Sequence, residues 1–312
     1  VAAWPGLSAG RSRLHAGARN HAGREVKAVL PVSVVIAAIV VLWYGAAVWM
    51  NAAWVRDQAA RAGETPGFAQ IVPQTLNQER PVLPAPHQVV SELWKGVAGQ
   101  AVTSKRSLVY HGWITLSATL LGFVIGTGAG ILLAIGIVHN RAMDLSVMPW
   151  AIASQTIPIL AIAPMIIVVL NSVGVTGIVP KAIISAYLSF FPVVVGMVKG
   201  LRAPDAMQLD LLRTYGASRR QTFAKLRMPA SVPYLFASLK VGVAAALVGA
   251  VVGELPTGAV AGLGARLLSG SYYGQTVQIW AALFAAALLA ASLVALIGLA
   301  ERLTLRRMGM GR

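Results

Sequence analysis

The segment from Leu201 to Ala230, LRAPDAMQLDLLRTYGASRRQTFAKLRMPA, is the one long polar interruption in the second half of a very apolar chain. Local signals make it two short helices around a hinge. Pro204 suits a first helical position, Asp205 complements the positive start of a helix, and Gly216 suits a left-handed stop. Ser218 and Gln221 have the spacing of a capping box that opens the second helix, and Pro229 and Pro233 are expected to end or kink that helix. Met207, Leu211 and Tyr215 share one face of the first helix, while Phe223 and Leu226 form a smaller ridge amid Arg219, Arg220, Lys225 and Arg227. Neither ridge is large enough to make a core, so the segment reads as a surface that meets a partner.

On both sides of it the chain is built of long apolar blocks. Hydrophobic residues make up 57% of the 312 and charged residues only 12%, and several runs of about 20 residues are nearly free of charge, the length that crosses a hydrocarbon core. The expected fold is all-α, a polytopic membrane protein with six transmembrane helices. The chain contains no cysteine, so no disulfide framework is available. In a membrane protein the net charge of +16 matters through the side of the bilayer on which each Lys and Arg lies.

Residues 1–27 hold Arg11, Arg13, Arg19, Arg24 and Lys27 without an apolar period and read as a disordered basic arm. A first span is expected over 28–54; its length and its Trp49, Asn51 and Trp54 favour an uncleaved span over a secretory signal. Residues 55–113 form a linker outside the membrane, extended over its proline-rich part up to Pro86, then an interfacial helix on which Val90, Leu93, Trp94 and Val97 recur at helical spacing. The core domain, 114–300, holds the other five spans. The second, Ile114 to Val138, places Gly122, Gly126 and Gly130 on one face as a packing seam. The third, about Val147 to Leu170, is interrupted by Ser154, Gln155, Thr156, Pro158 and Pro164, which belong either to a kinked helix or to a water-filled path. The fourth runs from about Ile178 to Val198 and contains Tyr187. The fifth, Tyr234 to Gly253, ends at Glu254, the only acid beside the later spans, which stands either at the water boundary or in a functional place. A glycine-rich loop over 255–275, a sixth span from about Val277 to Leu299 and a basic tail, 301–312, complete the chain.

Charge sets the orientation. With the arm inside, the same side collects Arg141, the cations from Lys199 to Arg227, and Arg302, Arg306, Arg307 and Arg312, whereas 55–113 sets four acids against six cations. Both termini and the 201–230 unit are therefore expected in the cytoplasm, where two helices continuous with spans can act as a lever pushed by a soluble partner.

That unit resembles the cytoplasmic coupling loop of permease subunits of bacterial ATP-binding-cassette importers, whose pattern is E-A-A, three residues, Gly, nine residues, Ile, any residue, Leu-Pro. Asp210, Leu211 and Leu212 stand at the E-A-A positions, Gly216 at the glycine, followed by Ala217, Ser218 and Arg219, and Leu226, Met228 and Pro229 close the pattern with its spacing intact. Asp for Glu keeps the charge; two leucines for two alanines enlarge the apolar face. The text from Thr214 to Leu255, LPAP at Leu83 to Pro86 and SQTIPILAIAP at Ser154 to Pro164 resemble the nitrate, sulfonate, taurine and thiamine-precursor branch. The resemblance implies an inner-membrane permease that pairs with a second copy or a sister chain, receives a small solute from a periplasmic binding protein, and couples to a separate ATPase dimer that holds the ATP and magnesium. The solute would be an organic or inorganic anion or a vitamin-precursor heterocycle. Ser154, Gln155, Thr156, Pro158, Tyr187 and Glu254 are the expected path residues.

No G-x-x-x-x-G-K-[ST] motif occurs, nor H-E-x-x-H, G-x-S-x-G or a Cys/His cluster, so the chain carries no nucleotide cradle of that kind, no metal motif and no enzyme signature. A helix-turn-helix reading fails because the flanking spans leave no third helix, which removes nucleic acid as the expected partner. A self-sufficient ion-coupled transporter or channel is the rival; it usually shows repeated halves with ionisable residues at mid-membrane, and no such repeat is visible.

Overall fold

The computed structural model describes residues 12–63, 67–256 and 261–310, with side chains from residue 30 onward. Those residues form twelve α-helices and no strand. Among the described residues, five helical stretches are long and apolar enough to cross a membrane, six if a pair bent by 98° is counted as one span. The chain divides into two compact units between Gln88 and Val89.

The first unit holds α1 (Ser12–Arg61) and α2 (Phe68–Leu76). The expected arm over residues 1–11 lies outside the described residues, and over 12–27 the structure departs from it, since the backbone is already helical from Ser12. Alanine and arginine are good helix formers, and a helix already nucleated by a long span extends at little cost. The proline-rich linker is likewise not extended throughout. It contains α2, and its return segment lies against α1, because the fully buried Asn51 accepts the N–H groups of Val82 and Leu83 at 2.8 and 3.3 Å and donates to the Leu83 carbonyl at 2.9 Å. The Trp43 indole donates to the Pro84 carbonyl at 3.0 Å. Prolines lack a donor, so side chains of the neighbouring helix satisfy this backbone where a ladder could not.

In the second unit, α3 (Pro86–Val97) is the expected amphipathic helix. The spans are α4 (Leu108–His139), the pair α5 (Arg141–Ser154) and α6 (Ile159–Ser172), α7 (Ile178–Leu201), α10 (Met228–Glu254) and α12 (Thr276–Arg307). Helix α7 lies between α4 and α10, and small residues set how close it comes. A Cβ on Gly126 would meet Ser189 Oγ and, at 2.7 Å, the Ala186 carbonyl; one on Gly130 would lie 2.9 Å from the Phe190 carbonyl. On the other side of α7, a Cβ on Gly249 of α10 would lie 2.7 Å from Ser185 Cα, and one on Gly200 of α7 2.9 Å from Ser231. Lipid gives no hydrophobic drive to helix association, so close backbone approach and dispersion hold this trio together. Ala134, Ile137, Val193, Val194, Met197 and Leu201 fill the space towards the 201–230 unit.

Three features differ from the sequence reading. The third span is broken: α5 and α6 meet at 98° around residues 155–158, because Pro158 supplies no donor and prolines favour an extended residue before them. The 255–275 loop contains a helix, α11 (Leu263–Tyr272). The last span runs on as helix through Arg307 and brings Glu301 within reach of Lys240 on α10, so Glu254 is not the sole acid of the later spans.

Candidate functional site

The 201–230 unit takes the expected form with one change at each helix. Helix α8 (Ala206–Thr214) starts two residues later than a first helical position at Pro204: Asp205 is its N-cap, with its N–H held by the Gln208 side chain at 3.2 Å. It stops in a Schellman turn, in which the Gly216 N–H reaches the Arg213 carbonyl and the Ala217 N–H the Leu212 carbonyl, both at 2.9 Å. Gly216 sits at φ +69°, the left-handed conformation that this turn needs. Ser218 and Gln221 then close the predicted capping box, with contacts of 2.8 and 3.3 Å.

The second helix does not end at Pro229. Helix α9 (Arg219–Thr222) passes through a π turn, Phe223–Arg227, directly into α10. The wide turn lets the Met228 N–H reach back to the Phe223 carbonyl, five residues away, immediately before Pro229 brings no donor, so the helix absorbs the proline without breaking. The continuous stretch Arg219–Glu254 is 36 residues, about 54 Å at helical rise against a hydrocarbon core of about 30 Å. Its first turns must therefore project from the bilayer, carrying the loop on a rigid stem. Phe223 packs edge-on against His139 at the end of α4, and Arg202 pairs with Asp144 of α5 at 2.8 Å, so the loop's base is tied to three spans.

On α8, Met207, Leu211 and Tyr215 are 83, 55 and 79% exposed. Leu212 lies partly covered beside them, and Asp210 pairs with Arg213 at 2.9 Å on the exposed surface. An apolar ridge of this kind, held on a short capped helix outside the membrane, has no core to join.

The expected path residues fall in two places. Ser154, Gln155, Thr156 and Pro158 occupy the break between α5 and α6, where the Tyr187 hydroxyl of α7 donates to the Ser154 carbonyl. The Ser154 and Thr156 hydroxyls bond back to carbonyls of α5, both at 2.8 Å, which leaves the Gln155 amide nitrogen enclosed and without a hydrogen-bond partner. Glu254 is not part of this cluster. It is wholly buried, at 0% exposure, in a network that ties α4, α7, α10 and α11 together. The Thr115 hydroxyl of α4 donates to its carboxylate at 3.0 Å, the Gly264 N–H donates at 2.8 Å, and the Lys181 ammonium lies 3.9 Å away. Thr115 also accepts the Leu263 N–H at 2.9 Å, and His111 accepts the Gly262 N–H at 2.9 Å while its other nitrogen meets the Lys105 carbonyl. These contacts assign the His111 proton to the nitrogen facing Lys105. Three amides at the start of α11, orphans of any helix start, are thus satisfied by side chains from α4 and α10. Thr115, His111 and Lys181 carry no sequence pattern that marks them; only the glycines flanking Leu263 hint that a backbone approaches something closely there.

Among known proteins, the family described as the binding-protein-dependent transport system inner membrane component matches residues 126–310, which take in the bent α5–α6 pair, the 201–230 unit and the last spans. The chain is 32% identical over 225 residues to the riboflavin transport system permease protein of Chloroflexus aurantiacus, covering 72% of this chain and 80% of that one. It is 32% identical over 184 residues to the formylaminopyrimidine transport permease protein of Halalkalibacterium halodurans, covering 59 and 68%. With the nitrate import permease protein of Leptolyngbya laminosa it shares 25% identity over 221 residues, 68 and 76% of the two chains. The loop geometry, the spans and these matches together show that the chain belongs to the binding-protein-dependent transport system inner membrane components, as a multi-pass inner-membrane permease of the ATP-binding-cassette importer type.

Proposed function

We propose that the chain conducts a small solute delivered by a periplasmic binding protein, and that a separate ATPase dimer, which holds ATP and magnesium, drives it by pressing on α8. The observation that carries this reading is the exposed ridge of Met207, Leu211 and Tyr215, joined through the Gly216 turn to a helix that continues unbroken into α10. Asp210, Leu211, Leu212, Gly216, Ala217, Ser218 and Arg219 make the coupling surface, and Leu226, Met228 and Pro229 its junction with the span. Force on α8 passes through the α9–α10 stem and the Phe223–His139 contact to the spans beside α7. The chain pairs with a second copy or a sister permease, with both termini in the cytoplasm. The path includes the break at Ser154, Gln155, Thr156 and Pro158, gated by the Tyr187 bond.

The relatives named for riboflavin and for a formylaminopyrimidine share more identity with this chain than the one named for nitrate, which favours a nitrogen heterocycle as the solute over an inorganic anion. A tagged chain, solubilised gently from its host membrane, should recover an ATPase subunit. Changing Leu211→Asp in the middle of the ridge should lower that recovery by about tenfold or more, as loss of a central interface anchor does, with the permease's own melting temperature unchanged. Recovery of the chain alone, with transport after reconstitution that needs an ion gradient and no ATP, would make it a self-sufficient secondary transporter instead.

A further inference from the structure

A basic cavity and an apolar groove in the second unit are lined from the same helices and meet where Gly96 of the cavity lies against Leu108 of the groove. The cavity, about 490 Å³, is lined by Lys95 of α3, Arg106 before α4, Arg266 and Ser269 of α11, and Gln278 at the start of α12, with Glu92 as its one acid. Arg266 is half-buried, and its Nε is enclosed without a hydrogen-bond partner. Burial draws its pKa down, with Glu92 opposing and Arg106 adding to the effect, a sign that the cations crowd one another. A guanidinium stays charged through such a shift, and its enclosed Nε–H has no acceptor.

The groove, about 390 Å³, is lined by Leu93 and Val97 of α3, Trp113 and Leu116 of α4, and Leu288 and Leu289 of α12. On α12 it begins at Ala285, seven residues after Gln278, which is about 10 Å further along the helix. Polar lining at the end of the span and apolar lining about 10 Å deeper is the order of a phospholipid. Trp94 and Trp113, both exposed, stand beside it as interfacial aromatics do.

We propose that the cavity and groove together bind one anionic phospholipid, its phosphate among Lys95, Arg106 and Arg266 and one acyl chain along Leu93, Trp113 and Leu288. Charge complementarity chooses this occupant: three cations against one carboxylate need an anion, and the groove below needs a hydrocarbon chain joined to it. Because Arg266 lies one turn from the α11 start that Thr115 and Glu254 hold, the lipid would brace the same contact between α4, α10 and α11.

The glycine at 112 supplies a clean test, since it lines the groove and a Cβ there meets nothing within 4 Å. The full chain, with any partner subunits that accompany it, is placed in phosphatidylcholine nanodiscs with and without phosphatidylglycerol, and the lipid it retains is counted by native mass spectrometry. Wild type should retain phosphatidylglycerol in preference to phosphatidylcholine. The exposed double variant Lys95→Gln/Arg106→Gln and the single Arg266→Gln should each cut that preference by about fivefold or more per cation. Gly112→Leu should cut total lipid retention while leaving the binding of inorganic sulfate to the detergent-solubilised protein intact. If the charge variants abolish sulfate binding but neither they nor Gly112→Leu alters lipid retention, the cavity takes a free oxyanion and the lipid proposal is overturned. If Gly112→Leu instead splits a permease dimer with lipid retention unchanged, the groove is covered by a second copy and the proposal is equally overturned.

Discussion

At the scale of single residues, two positions separate backbone demands from side-chain demands. Gly216 has open space around it, so a substitution there meets no neighbour and suffers only from the left-handed backbone at φ +69°. Gly216→Ala is expected to destabilise the turn by about 1 kcal/mol and leave the permease folded, whereas a β-branched valine should distort the turn enough to misplace α8. ATPase recovery from membranes should therefore fall in the order glycine, alanine, valine with equal amounts of permease present; equal recovery from all three would remove the hinge role. Glu254 is the opposite case, a side chain whose partners all come from elsewhere. Glu254→Leu strands the Gly264 amide, leaves the Thr115 hydroxyl only the His111 carbonyl and Lys181 only the Ala261 carbonyl, and should lower unfolding stability in detergent by about 2–4 kcal/mol. Glu254→Gln keeps one acceptor and should lose roughly half as much or less. Identical melting of the two variants would show that the network contributes nothing.

Among the elements, α7 is the one on which its neighbours depend. The four-residue spacing of Gly122, Gly126 and Gly130 was legible as a seam because small residues on one helical face have few other uses in lipid. What it packs against was not legible, since Ala182, Ser185, Ala186 and Ser189 on α7 look like ordinary small residues until the helices are placed together. Gly126→Leu should overpack the α4–α7 contact and destabilise the protein by about 1–3 kcal/mol or prevent its accumulation in the membrane. Gly128→Leu, two residues away on the exposed face with nothing near its Cβ, should be tolerated, and thermal unfolding of the purified pair measures the difference. The prolines behaved less uniformly than local rules suggest. Pro158 breaks a span, while Pro229 and Pro233 sit inside one continuous helix, because a π turn before Pro229 shifts the hydrogen-bond register that its ring would otherwise clash with.

For the whole molecule, the apolar blocks and the polar 201–230 unit were enough to establish a polytopic helical membrane protein with one polar helix pair between its spans, because both rest on local periodicity and on the cost of unpaired backbone in hydrocarbon. Capping at Ser218, the stop at Gly216 and the seam on α4 belong to the same class, since each depends on residues within one or two turns of one another. Sequence alone also determined the family pattern from Asp210 to Pro229. Only the tertiary structure decided that the 201–230 unit continues into α10 as one helical stem, that α5 and α6 meet at 98°, and that a helix stands inside the 255–275 loop. It alone placed Glu254 against Thr115, 139 residues away in the chain, with His111 and the first amides of α11 beside it. Those outcomes turn on which distant groups can satisfy a buried carboxylate or an orphan N–H, and that pairing has no period along the sequence from which it could be read.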